Sequence, residues 1–272
     1  MLYFIPTPIG NLGDVSFRTI ELLKEGEYIL CEDTRVTKKL LQLLSDRLEI
    51  NFPNFNFLSV HSHNEQKFLQ SEENLRIIKE NSCIYVSDAG MPCVSDPGSF
   101  LADYCLKNNL QYDVLPGANA VLTAYASSGF DDVNFTFFGF LPHKGKERKA
   151  KLDEVLSSKY LAILYESPHR LLKLLEELNN FVPHREIFLA KELTKKYQTR
   201  YKDTAANIYE NLKTEQIKGE WVVVIKPEPS DEKGIITLED ISDLKLPPKQ
   251  KAKLISKLTG RNIKEIYSEL IC

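Results

Sequence analysis

The chain has 272 residues, of which 43% are hydrophobic and 27% charged, with a formal net charge of −3. That length favours two domains over one, and the composition is that of a globular protein, not of a collagenous or low-complexity chain. No apolar run approaches the roughly 18 residues that a membrane helix needs, and no basic region followed by an apolar core stands at the N-terminus, so a cytoplasmic protein is expected.

Apolar runs rich in Ile, Val, Phe and Tyr recur at LYFI (2–5), YILC (28–31), FLSV (57–60), CIYV (83–86) and around VL (114–115). Helical spacing lies between them: Phe17, Ile20 and Leu23 closed by Gly26, then Val36, Leu40 and Leu43 or Leu44. Strands alternating with helices predict a mostly parallel, helix-covered sheet. The same grammar restarts after LPGANA (115–120), with FTFFGF (135–140), LAILY (161–165), EIFLA (186–190) and EWVVVI (220–225). Leu171, Leu174, Leu175 and Leu178 form an i, i+3, i+4, i+7 stripe that predicts a helix over 169–178, with Ser167 as its cap and Pro168 at its first position. The fold class is therefore α/β, with a domain boundary near 116–120. Residues 227–236 are expected to be a linker, and 237–272 a small helical unit broken at Leu246-Pro247-Pro248.

Three loops follow predicted strands: PTPIGNLGD (6–14), SDAGMPCVSDPG (87–98) and LPGANA (115–120). Strand ends in an open α/β sheet share one edge, where ligands bind, so the three are expected to meet at one pocket. Glycines let backbone approach a ligand, and Asp88 or Asp96 can accept hydrogen bonds from it. Neither G-x-G-x-x-G, a Walker A sequence nor G-x-S-x-G is present. Two aspartates suit a ligand with hydroxyl or amine donors, or with positive charge, better than a phosphate. From the residues alone the ligand is a small polar molecule, and a purely structural turn remains the alternative. Ser95-Asp96 is expected to cap the following helix, with Pro97 in its first turn.

Cys31, Cys83, Cys93, Cys105 and Cys272 are odd in number and never form C-x-x-C, which predicts buried free thiols and neither disulfides nor a zinc site. Only His61 and His63 are close, on one face of a short strand if it extends so far, and no metal is expected. Basic residues crowd the C-terminal half: Lys144, Lys146, Arg148, Lys149 and Lys151; Lys191, Lys195, Lys196, Arg200 and Lys202; and Lys249, Lys251, Lys253, Lys257 and Arg261. A solvated face explains any one stretch, but all three in one half suggest a polyanionic partner.

The loops above, together with CEDTRVTKKLL (31–41), FFGFLPHKGKER (137–148), YESPHRLLKLLEEL (165–178), AKELTK (190–195) and KGEWVVV (218–224), resemble the tetrapyrrole methylase superfamily of S-adenosylmethionine-dependent methyltransferases. EDTR and ESPHR are similar to the branch that methylates a ribose 2′-hydroxyl of a decoding-centre cytidine in small-subunit (16S) rRNA, not to the porphyrin or diphthamide branches. The motifs run in family order over roughly the first 225 residues, and 247–267 looks like that branch's C-terminal extension. The resemblance implies two α/β domains, 1–116 and 117–227, with S-adenosylmethionine in the cleft between them, a helical extension over 237–272, and a homodimer. It implies cofactor contacts from Pro8, Gly10, Asp88, Ala89, Gly90, Cys93, Pro116 and Gly117, and from Tyr165 and Ala190 across the cleft. Met91 stands where the family has Thr, and Asn119 where it has Ser.

A ribose hydroxyl is a weak acid, so a base or a nearby positive charge would help the transfer. Glu166, Arg35 and Lys191 are the candidates for catalysis, with Glu32, Asp33, His169 and Glu192 close by in the same motifs. Arg35, Lys144, Lys146, Arg148 and Arg170 are candidates for holding RNA. Each has a structural rival: Asp33 or Thr34 as a helix cap, Arg35 paired with Glu32 or Asp33, Glu166-Ser167-Pro168 as a mere connection, Arg170 bonded to a carbonyl. Two other functions remain open, a tetrapyrrole methyltransferase and a non-catalytic ribosome-binding module on the same fold.

Overall fold

The structure, a computed structural model, describes residues 1–228, 238–244 and 246–271. Most of the expected linker, 229–236, and Cys272 lie outside the described residues. The chain divides into two compact units, Met1–Glu228 and Pro229–Cys272.

The first unit holds two five-stranded sheets. Strands β1 (Leu2–Ile5), β2 (Tyr28–Cys31), β3 (Asn56–Ser59), β4 (Cys83–Val86) and β5 (Tyr112–Val114) stand in the order β3-β2-β4-β1-β5, all parallel. Both faces are covered, which is why CIYV is buried at every position. Helices α1 (Phe17–Glu25), α2 (Thr34–Leu48), α3 (Glu65–Phe68), α4 (Glu72–Glu80) and α5 (Ser99–Lys107) connect these strands. The stripes of α1 and α2 are shifted from the expected ones: α1 buries Thr19 and Leu23 while Phe17 is 92% exposed, and α2 buries Thr37, Leu41 and Leu44. Threonine methyls complete both faces, which an apolar count omits.

The second sheet is built from β6 (Phe135–Phe140), β7 (Leu161–Glu166), β8 (Glu186–Lys191), β9 (Thr199–Thr204) and β10 (Trp221–Ile225), ordered β6-β7-β10-β8-β9. Only β6 and β7 are parallel; β10 runs antiparallel to both β7 and β8, and β9 antiparallel to β8. Strand β9, TRYKDT, was not anticipated, because it is an edge strand with little apolar content. Helix α6 (Ala120–Ser128) covers one face, while α7 (Gly145–Leu156), α8 (Pro168–Phe181) and α9 (Ala205–Leu212) cover the other. All four leucines of the α8 stripe are buried. Ser167 and Pro168 stand at the start of α8 as expected, but the Ser167 hydroxyl accepts from Arg170 Nε at 3.3 Å and caps no backbone N–H.

The second unit consists of α10 (Leu238–Asp243), α11 (Pro248–Thr259) and α12 (Ile263–Ile271), with Ile241, Ala252 and Ile266 buried. Pro247 and Pro248 start α11, as the chain break predicts. No helix among the described residues is long and apolar enough to cross a membrane.

Candidate functional site

The three loops leave neighbouring strands, β4, β1 and β5, whose ends are aligned by the register Ile5↔Val86 and Phe4↔Val114. Thr7 and Gly90 exchange both backbone hydrogen bonds, at 2.9 and 3.0 Å, so the first loop is tied to the second. The Ser87 hydroxyl donates to the Gly90 carbonyl at 3.0 Å and Thr7 Oγ1 to the Ser87 carbonyl at 3.2 Å. Gly98 ends the second loop at φ +120°, and a Cβ there would meet the Tyr85 ring at 2.8 Å and Cys93 Sγ at 2.9 Å. Both the backbone angle and the contact require glycine. Asn119 Oδ1 accepts from Leu122 N at 3.1 Å and so caps α6, a role that a serine fills equally well.

Beside these loops the second sheet ends in two rows, the first turned to the loops with Ile9 and Val94, the second with Trp221 packed on the opposite face among the leucines of α8. Tyr165 and Ala190 flank Val222 in one, and Glu166 and Lys191 flank Trp221 in the next. Together the loops and the rows enclose a cavity of about 390 Å³, a size usual for small-ligand sites. Ile9, Ala89, Gly90, Met91, Val94, Ser95, Asp96 and Asn119 line one side; Phe140, Tyr165, Glu166, Ala190, Leu193, Trp221 and Val222 line the other. The first loop is fastened to the second-sheet wall, where Asn11 N donates to Thr194 Oγ1 at 3.1 Å.

Charge is arranged unequally around this cavity. Burial, with Asp96 and Asp88 nearby, pushes the Glu32 carboxyl up to about 7. Burial and Asp88 raise Asp96 to about 6, and burial raises Asp88 as well, against a hydrogen bond from the Asp33 backbone. None of the three forms an ion pair among the described residues. Glu166 is different: its side chain is 0% exposed, Oε1 accepts from Ser167 N and from Arg170 at 2.7 Å each, and Oε2 has no partner. An unneutralised acidic edge beside an apolar wall fits a ligand carrying positive charge and a flat apolar group, as S-adenosylmethionine does.

Of the sequence candidates, Ala89, Gly90, Tyr165, Glu166 and Ala190 line the cavity. Pro8 does not line it but a separate small pocket with Val15, Leu40 and Leu41, and Gly10 lies under the Leu193–Lys195 turn. Gly117 packs on Pro6, and Pro116, Asp88 and Cys93 stand outside the lining. Lys191 does not line the cavity; its ammonium lies 5.5 Å from the Trp221 ring centroid. Arg35 is 89% exposed, pairs with Asp33 at 2.7 Å and does not line the cavity, so its expected catalytic position is corrected to a surface one. Asp33 also caps α2 through Arg35 N at 2.8 Å, and those two bonds lower its carboxyl to about 2. Lys144 and Lys146 are exposed at the start of α7.

Two arginines depart from expectation. Arg148 is 3% exposed, forks onto Glu177 at 2.7–3.1 Å and donates to the Pro142 carbonyl, so it is a buried structural residue and not an RNA contact. Arg170 is bound to Glu166, Ser167 and, at 2.8 Å, the Leu141 carbonyl, which leaves little of it for a phosphate. Ser95-Asp96 is also corrected: α5 starts at Ser99 without a side-chain cap, buried Glu65 accepts from Leu101 N at 2.9 Å instead, and Asp96 turns to the cavity. Cys31, Cys83 and Cys105 are buried as expected, but Cys93 is exposed. His61 and His63 follow β3 in a turn, not on the strand, with rings 6.1 Å apart. Among the described residues no group of three or more potential ligands is placed to hold a metal. Sequence reasoning missed Phe140, Leu193, Trp221 and Val222 as cavity residues; their position depends on strand pairing, which apolar runs do not encode.

The sequence profile of the tetrapyrrole (corrin/porphyrin) methylases matches residues 1–209. A protein of Campylobacter fetus named ribosomal RNA small subunit methyltransferase I is 48% identical over the full length of both chains. One of the same name from Helicobacter pylori is 46% identical over 98% of this chain and 96% of its own. Among solved structures, a diphthine synthase superposes with a TM-score of 0.62 at 11% identity, over 83% of this chain and 89% of its own. Uroporphyrin-III C-methyltransferase from Thermus thermophilus, complexed with S-adenosylhomocysteine, gives 0.56 at 15% identity over 82% and 96%.

Proposed function

The chain belongs to the tetrapyrrole methylase family of S-adenosylmethionine-dependent enzymes, and from that premise we propose that it methylates the ribose 2′-hydroxyl of a decoding-centre cytidine in small-subunit rRNA. The observation that carries this reading is a full-length likeness to proteins named for small-subunit rRNA, on a chain whose two sheets enclose a cavity with an unneutralised acidic edge. A tetrapyrrole substrate has only the family name and distant structural likeness behind it.

When bound, S-adenosylmethionine supplies a methyl group made electrophilic by its sulfonium, so the chain's task is mainly to place the nucleophile in line. Ala89, Gly90, Tyr165 and Ala190 hold the cofactor in the cavity, Asp96 and Asp88 favour its positive charge, and Pro8, Gly10, Cys93, Pro116 and Gly117 shape the loops from behind. Glu166 Oε2, buried and unpartnered, accepts a hydrogen bond from the bound reactants. Lys191 stabilises negative charge growing on the reacting oxygen. Glu32, held near 7, has the affinity for a proton that a base working at neutral pH needs. Arg35, Lys144 and Lys146 hold RNA phosphates. The reading takes 1–116 and 117–227 as the two α/β domains and 237–272 as the extension, in a cytoplasmic homodimer acting on the small ribosomal subunit.

The test is to incubate the protein and S-adenosylmethionine with small subunits from a strain lacking this modification. Nucleoside mass spectrometry should then find one new 2′-O-methylcytidine per subunit. A methyl group on another nucleoside or atom, or none, rejects the reading.

A further inference from the structure

Phe140 is a large aromatic side chain in the cavity lining, yet it is 52% exposed. An irregularity in β6 puts it there. Phe135 and Phe137 pair with Leu161 and Ile163 on the sheet face that carries α6, and Phe138 packs on the opposite face against the leucines of α8. Simple alternation would send Phe140 to the same side as Phe138. Instead the register shifts between Phe137 and Gly139, so that Phe140 pairs with Tyr165 and turns to the cavity. Gly139 has φ +65° and nothing within 4 Å of where its Cβ would be, so glycine is needed there for the backbone angle of the bulge and not for space. Bulges of this kind re-aim side chains beside active sites.

The re-aimed ring is held firmly. Its centroid lies 5.6 Å from that of Tyr165 in an edge-to-face contact, and the Arg170 guanidinium lies 5.8 Å from its centroid. Arg170 is itself fixed by Glu166 and by the Leu141 carbonyl. Phe140 therefore offers a flat surface to solvent at the cavity's edge. The next residues along the chain that face solvent with charge are Lys144 and Lys146. An exposed aromatic ring followed by free cations is the chemistry that binds an unpaired nucleotide, with the base stacked on the ring and phosphates on the lysines.

We propose that Phe140 is the platform on which the target nucleobase stacks when its ribose enters the cavity, so that the β6 bulge determines how the substrate is positioned. This rests on the reading that RNA is the substrate. Stacking on an aromatic ring is worth about 1–3 kcal/mol per base, so Phe140→Ala should lower kcat/KM for small ribosomal subunits roughly tenfold to a hundredfold, chiefly through KM. Phe140→Leu keeps an apolar side chain of similar bulk and should fall as far, while Phe140→Trp should retain activity within a few-fold. S-adenosylmethionine affinity by calorimetry should stay within about twofold in all three variants, and that binding also reports that each is folded.

A Leu variant as active as wild type would overturn stacking. A loss of S-adenosylmethionine affinity in step with activity would overturn it too, by placing the cofactor's adenine on the ring. Wild-type protein that transfers no methyl group to the subunits would instead sink the RNA reading, and this inference with it.

Discussion

The two walls of the cleft carry similar numbers of acidic groups in opposite conditions. On the second-sheet wall Glu166 is paired with Arg170, Glu192 with Lys195, and further back Glu177 with Arg148. On the first-sheet side Asp96 lines the cavity with Asp88 and Glu32 near it; none of the three has a cation partner among the described residues, and burial raises all three. Charges that serve the fold are neutralised within it, since an unpaired buried charge is costly. Acids left unneutralised at a cavity are a cost that the fold does not recover by itself, which points to a ligand of opposite charge.

The largest effect that separates the walls should come from breaking a pair on the second. Arg170→Ala leaves the fully buried Glu166 carboxylate without its cation and should destabilise the protein by about 3–5 kcal/mol, measured by chemical denaturation. Arg148→Ala should cost a similar or somewhat smaller amount, because Glu177 is 23% exposed and water can reach it. Unchanged stability in the Arg148 variant, with weaker RNA binding, would restore it as a surface contact.

On the first wall the sign should reverse. Asp96→Asn removes a carboxylate that the folded state resists ionising, so stability at neutral pH should hold or rise. S-adenosylmethionine affinity should nevertheless fall roughly tenfold, the equivalent of about one unit of differential charge interaction, by isothermal calorimetry. Lower stability together with unchanged affinity would make Asp96 an ordinary structural residue and erase the contrast between the walls.

A subtler form of the same contrast is its pH dependence. Glu32 and Asp96 hold protons in the folded chain up to about 7 and 6, above their ordinary values of 4.5 and 3.8. Between those ordinary values and pH 7 the unfolded chain releases protons first, so their contribution to stability is present at low pH and lost across that window. Cofactor binding should run the other way, strengthening from pH 5.5 to 7.5 and releasing protons. Calorimetry in buffers of different ionisation enthalpy measures that release, and a pH-independent affinity without proton release would contradict it.

How far this was legible in the sequence differs between the two sheets. The first was visible as apolar runs because parallel strands buried on both faces are continuously apolar, and its glycine- and proline-rich loops marked the ligand edge directly. In the second, β9 is an amphipathic edge strand and β10 is inserted between β7 and β8, so the neighbours of Trp221 and Val222 could not be deduced from chain order. Arginine partners were hidden for the same reason: Glu177 is 29 residues from Arg148, and the Leu141 carbonyl is 29 from Arg170. A basic run shows how many cations a segment has, but not which of them the fold consumes. The bulge at Gly139 left only a glycine in an aromatic run as its sign.

Arg35 is the smallest and most discriminating case, because it is a cation on the acidic wall. It is exposed and bonded to a neighbour two residues away on the same turn, a pairing that solvent and side-chain entropy make weak. Arg35→Ala should therefore leave stability and S-adenosylmethionine affinity nearly unchanged. If the guanidinium exchanges Asp33 for an RNA phosphate, KM for subunits should rise, and the slope of log affinity against log salt should shrink by about one. If kcat falls instead at constant KM and constant salt slope, Arg35 acts on the reacting oxygen. The acidic wall would then move in the complex to bring it there, since in the structure the side chain stands outside the cavity.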